Sequence, residues 1–159
     1  MTPTLLHTSL DAETLRDLHA ALRILQRLAL RDGLPSGMAD IGALRAAQER
    51  LEEAQQQPGL AVVADHDVHV LLTAAGDDGR LQTLLTQTRL ALLPARALLL
   101  RAPGYVRRRR AEYGAIIDAV EQGRRRRAVA LLDQMAVREL RALLDVVDPR
   151  HGRVQRLAT

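Results

Sequence analysis

Leu and Ala recur at three- and four-residue steps along nearly the whole chain, and each run of recurrences stops at Gly or Pro. That spacing lines one face of an α-helix with apolar side chains, and no sustained period-two alternation competes with it. Leu15, Leu18, Leu22, Leu25 and Leu28 mark a first helix behind Ser9 and Asp11, both able to cap it, and the run ends near Gly33-Leu34-Pro35. A second follows Asp40, carried by Ile41, Leu44 and Leu51, and stops before Pro58-Gly59. A third covers about 60–75 and ends at Gly76-Asp77-Asp78-Gly79. The fourth, over 81–100, contains Pro94, whose missing N–H and ring bulk are expected to bend it. Pro103-Gly104 closes it, a fifth runs over about 106–121 to Gly123, and a sixth continues to Asp148-Pro149. Six helices joined by short turns predict an all-α antiparallel bundle. On this reading 1–14 is an N-terminal segment, 15–148 one helical domain, and 149–159 a loose tail without periodicity.

Composition removes several function classes. The chain of 159 residues has no Cys, so disulfides, thiolate zinc sites, iron–sulfur clusters and Cys nucleophiles are excluded. A chain of this size buries about 68–70% of its unfolded surface, enough for a core without staples. Tyr105 and Tyr113 are its only aromatic rings apart from the histidines, so platforms that stack nucleic-acid bases lack their residues. All of its 23 basic residues are Arg, and the formal net charge is +4. No apolar run approaches the 18 or so residues needed to span a bilayer, and the start lacks the basic and apolar regions of a signal peptide. A cytoplasmic protein with no membrane partner is expected.

The third helix carries the densest polar cluster, AVVADHDVHVLLTAAG. Stepping about 100° per residue from Asp65 places Val62, Val68, Leu72 and Ala75 in one apolar sector and His69 inside it, near 40°. His66 and Asp67 fall toward water. A carboxylate and an imidazole pointing into a bundle are costly unless paired. They can pair with each other, with a metal, or with a ligand.

The stretch from Asp65 to Asp77, read as D-x-x-φ-H-x-x-L-x-x-A-x-G and a polar residue ahead of a Leu-rich helix, resembles the hallmark of the FCD domain. This is the all-helical effector-binding domain of FadR-type GntR transcription regulators. The opening LRDLHAALRILQRLAL and the later APGYVRRRRAEYGAIIDAVEQG are similar to it too, so the resemblance spans roughly 15–140. It implies an FCD-like bundle, a small organic acid or related metabolite as ligand, and a homodimer. In metal-binding members two further His join the Asp and His around a divalent ion. The corresponding positions here are Tyr113, in Glu112-Tyr113, and Met135. A thioether suits soft metals and a neutral phenol is a poor ligand, so only Asp65 and His69 remain for zinc or nickel, and a cofactor is not expected. Both substitutes lie within apolar stripes: Tyr113 with Ile116, Ile117 and Val120, and Met135 with Ala128, Leu131 and Leu132. Core packing accounts for both, and for Met135 it is the stronger reading. The Tyr113 hydroxyl needs a partner, for which Asp65 or His69 is in reach.

Arg89 and Arg96, seven residues apart on the fourth helix, share a face with Leu85, Leu92, Leu93 and Leu100. In the family a basic residue on this helix meets an effector carboxylate. If buried, each guanidinium needs an anion, a ligand carboxylate or Asp65; otherwise they lie over Leu at an exposed seam. The binding candidates are therefore Asp65, His69, Arg89, Arg96, Tyr113 and Met135. An alternative of another class is a cyclase, isomerase or dehydratase in which Asp65 orients His69 as acid–base and Tyr113 donates to an oxyanion.

The Arg runs 107–110 and 124–127 suggest nucleic acid, but four consecutive helical residues point all round the axis and form no stripe. Both sit at helix starts, where the macrodipole disfavours cations. They read as solvated helix starts or as contacts for an acidic partner. The winged helix that reads DNA in GntR regulators has no counterpart in the few residues before Leu15, so direct DNA binding is not expected of this chain.

Overall fold

The computed structural model describes residues 10–35, 38–74 and 79–147. They form six α-helices: α1 (Ala12–Asp32), α2 (Met38–Glu53), α3 (Pro58–Thr73), α4 (Gly79–Leu100), α5 (Tyr105–Glu121) and α6 (Arg125–Val147), with one 3₁₀ turn at Ala54–Gln56. There is no strand among the described residues. The fold is the expected all-α bundle. No helix among them is long and apolar enough to cross a membrane.

Helix boundaries follow local chemistry. Asp11 caps α1, its Oδ1 accepting the Thr14 amide at 2.7 Å. Ser9 and the Gly76–Asp78 part of the predicted turn lie outside the described residues, as do Pro149 and the tail from 149 onward. Pro58 opens α3 rather than closing α2, because a first-turn position needs no N–H. α4 continues through Pro94 to Leu100. The carbonyl that Pro94 leaves without a helical donor belongs to Leu90, and both residues are exposed, so water can satisfy it. Gly123, at φ +66°, ends α5: its N–H bonds to Val120 O and the next amide, Arg124, to Ala119 O. This left-handed turn returns two orphan carbonyls to the hydrogen-bond inventory.

The helices pack as a closed ring in the spatial order α1, α4, α3, α2, α5, α6 and back to α1. Leu15, Leu22, Leu44, Leu72, Leu85, Leu92, Ile116, Ile117 and Leu143 line its interior. Gly114 allows α2 and α5 to approach closely, since a Cβ there would meet Gln48 Nε2 at 2.9 Å. That amide donates to Arg110 O across the same seam. With six helices around one axis, the inward faces of five of them also deliver polar groups to the centre.

Candidate functional site

Each contributing helix supplies two polar or soft side chains four or seven residues apart, a spacing that puts both on one face. They are His19 and Gln26 from α1, Asp65 and His69 from α3, Arg89 and Arg96 from α4, Arg109 and Tyr113 from α5, and Met135 and Glu139 from α6. All ten are buried, none more than 4% exposed. Charge at this depth survives only when paired and hydrogen-bonded.

Asp65 is the hub. Its Oδ2 accepts from Arg96 Nη2 at 2.5 Å, and its Oδ1 accepts the Tyr113 hydroxyl at 2.6 Å and lies 3.4 Å from Arg109 Nε. Glu139 is the second anion: Arg96 Nε lies 3.3 Å from its Oε1, and Arg109 Nη2 pairs with its Oε2. Arg109 Nη2 also donates to the Tyr105 hydroxyl at 2.8 Å. Burial opposes the charge on Arg96 and Arg109, but the surrounding oxygens, Asp65 foremost for Arg96 and Tyr105 for Arg109, hold both above the ordinary guanidinium range. Tyr113 is pushed far up, by burial first and then by the Asp65 charge, so its hydroxyl is a fixed donor.

Arg89 is differently placed. Its Nη2 donates to His69 O at 3.2 Å and to Thr73 Oγ1 at 3.1 Å, both uncharged, and its Nε has no partner among the described residues. Burial, then repulsion from Arg96, lowers its pKa to about 10. Three buried guanidiniums thus face two buried carboxylates, and the one without a carboxylate is Arg89.

His69 does not pair with Asp65. Gln26 Nε2 lies 3.3 Å from its Nδ1, its Nε2 is without a partner, and its ring meets Tyr113 edge-on at 5.6 Å. Burial, reinforced by Arg96, Arg89 and Arg109, keeps the imidazole neutral at any ordinary pH. Asp65 spends both oxygens on Arg96, Arg109 and Tyr113, so it does not orient His69 as an acid–base pair requires. Nor do these residues fit a divalent metal. Of the four positions that the resemblance marks, only Asp65 and His69 carry metal-donor side chains; both oxygens of Asp65 are engaged, and Arg96 and Arg109 hold positive charge against them, as they do against Glu139. Among the described residues no three His, Asp or Glu side chains cluster as a metal site would need.

The structure brings all six sequence candidates inside, Arg89 and Arg96 included. His66 and Asp67 remain half-exposed, and Asp67 lies 3.6 Å from Arg50. Four buried partners were not singled out: His19, Gln26, Arg109 and Glu139. Their signal was spacing. Arg109 precedes Tyr113 by one helical turn, Glu139 follows Met135 by one, and His19 continues the Leu15–Leu22 stripe. The first Arg run therefore divides: Arg107 and Arg108 are exposed, Arg109 is buried, and Arg110 pairs with Glu52 at 2.8 Å. The run 124–127 is exposed.

The family model named FCD domain matches residues 17–138. No curated protein matches the chain.

Proposed function

The chain belongs to the FCD domain family, and from that premise we propose that it is the effector-binding and dimerising module of a GntR-type transcription regulator. The effector is a small organic acid or related metabolite. One observation carries the reading: Arg89 is a buried cation with only neutral oxygens on it, beside unpartnered His69 Nε2 and Gln26 Oε1. A ligand carboxylate at Arg89 supplies the missing anion through a charge-assisted fork, and polar groups left unpaired in the free protein gain partners. The Tyr113 ring, edge-on to His69, adds apolar surface nearby.

Dimerisation is supported by the outer face of α4. Between Leu81 and Leu100 its exposed side chains include Leu84, Leu90, Ala91, Pro94 and Leu98, with only Thr and Gln among the rest, while both Arg turn inward. An uncharged helix face in a chain with 26% charged residues suits burial against the same face of a second copy.

The test is a melting-temperature screen against small mono- and dicarboxylic acids. A binder present at a hundredfold excess over its Kd stabilises by about 2.7 kcal/mol. The reading expects at least one acid that raises the melting temperature and loses its effect in Arg89→Met. No shift from any acid overturns it. For the dimer, sedimentation of the native chain and of Leu98→Glu is expected to give two copies and one copy.

A further inference from the structure

A cleft of about 240 Å³ opens between the start of α5 and the second half of α6, and its floor is the buried Arg109–Glu139 pair. We propose that this cleft is an anion site separate from the Arg89 position, and that it takes the phosphate group of a small phosphorylated metabolite. The proposal does not depend on what binds at Arg89.

The charges set the chemistry. Four Arg line the cleft, against Glu112, Glu139 and Asp145. Glu112 is held by Arg138 Nε at 2.7 Å, and Glu139 by Arg96 and Arg109. Arg108 and Arg141 remain, with no carboxylate within ion-pair distance among the described residues. Arg108 is exposed, yet it lies over an aromatic ring. Its guanidinium lies 5.2 Å from the centre of the Tyr105 ring, and that of Arg109 lies 5.3 Å from the same centre. Two like charges drawn to one ring repel unless an anion stands between them. The Tyr105 hydroxyl accepts from Arg109 and so keeps its own proton to donate into the cleft. Arg109 is 2% exposed, and its guanidinium, paired with Glu139, lies at the cleft floor.

Donors approaching from two helices, Arg108 and Tyr105 on α5 and Arg141 on α6, match a tetrahedral group with three terminal oxygens better than a planar carboxylate with two. The wider charge balance agrees: with Arg89 left out, Arg96, Arg108, Arg109, Arg138 and Arg141 stand against Asp65, Glu112, Glu139 and Asp145, so positive charge is left over for an anion. Phosphate monoesters carry about −1.5 to −2 at pH 7. The volume lies below the roughly 300–1,000 Å³ of sites for drug-sized ligands, so the molecule is small. Asp145, which has no ion-pair partner among the described residues, is placed to accept a ligand hydroxyl.

The experiment titrates inorganic phosphate into the full chain at constant ionic strength and follows amide and Arg Nε–H resonances by NMR. Saturable shifts are expected in the first turn of α5 and in residues 138–145. Arg108→Gln with Arg141→Gln, both exposed in the native fold, is expected to weaken phosphate at least tenfold. Arg126→Gln with Arg127→Gln removes the same charge elsewhere and is expected to change it less than twofold. Succinate, as the carboxylate probe, is expected to bind the cleft more weakly than phosphate. Equal losses in the two double variants, or shifts centred on 124–127, overturn the site. Loss of phosphate binding in Arg89→Met with no change in the cleft variant overturns it as well, by moving the anion to the interior. Tighter cleft binding of succinate overturns the choice of phosphate.

Discussion

Arg96 and Asp65 stand 31 residues apart in the chain, yet Arg96 Nη2 lies 2.5 Å from Asp65 Oδ2 with 3% of each side chain exposed. A pair this deep gains little net stability over an apolar pair of the same shape, because both ions lose their water. Breaking it is another matter, since one charge then stays buried alone. Arg96→Met is expected to cost about 3–5 kcal/mol in urea denaturation. Asp65→Asn combined with Arg96→Met removes both charges and is expected to be at least ~1 kcal/mol more stable than the single variant, a coupling that only contacting residues show. Additive losses would mean the two ions do not meet.

Tyr113 holds the other oxygen of Asp65 at 2.6 Å. Hydrogen bonds to a charged partner contribute about 1.5–3 kcal/mol, so Tyr113→Phe, which deletes the hydroxyl and keeps the ring packing on His69, is expected to lose that much. The loss should shrink in an Asp65→Asn background, where the acceptor is neutral. An unchanged denaturation midpoint in Tyr113→Phe would show that the hydroxyl has another role.

What the sequence disclosed and what it hid both follow from periodicity. The helices were legible because Leu15, Leu22, Leu44 and their counterparts recur at helical steps, and Gly123 and Pro58 punctuate them. The inward direction of Asp65, Tyr113 and Met135 was legible for the same reason. Arg109 was not: inside a run of four Arg each residue has the same composition signal, and only its one-turn distance from Tyr113 distinguishes it. The partnership of Arg96 with Asp65 joins α4 to α3, and that of Arg109 with Glu139 joins α5 to α6. Such pairings are set by the ring order of the helices, which no local pattern encodes.

His19 lies at the centre of the ring with none of its surface exposed, and its pKa falls to about 4. Burial is the main cause, followed by Arg96 from α4, Arg109 from α5 and Arg23 from its own helix. Glu139 Oε1 stands 3.5 Å from Nε2, but that carboxylate is already claimed by Arg96 and Arg109. Above pH 6.5 the imidazole is neutral in both the folded and the unfolded chain, and its contribution is complete. As pH falls below 6.5 the unfolded chain takes up the proton first, so stability is lost progressively down to about pH 4. The gap between 6.5 and about 4, at 1.36 kcal/mol per pH unit, amounts to roughly 3 kcal/mol. Urea midpoints measured from pH 7 to 4.5 should fall in the native chain, and His19→Gln should flatten the part of that slope below 6.5. Parallel slopes for the two proteins would remove His19 as the cause.

The guanidiniums of Arg96 and Arg109 both lie on Asp65, the carboxylate that would have to ligate a divalent ion. Asp65 has no free oxygen to offer, and neither Tyr113 nor Met135 is a hard-metal donor. The purified chain is expected to carry zinc and nickel well below one ion per chain by elemental analysis, and a chelator should leave its melting temperature unchanged. Restoring imidazoles with Tyr113→His and Met135→His is not expected to be enough, because Arg96 still holds Asp65 Oδ2. Adding Arg96→Leu to that pair frees the carboxylate and removes the repelling charge, so the triple variant should gain zinc affinity that the double variant lacks. Stoichiometric metal in the native chain, or equal zinc binding by the double and triple variants, would mean that the arginines do not exclude the ion.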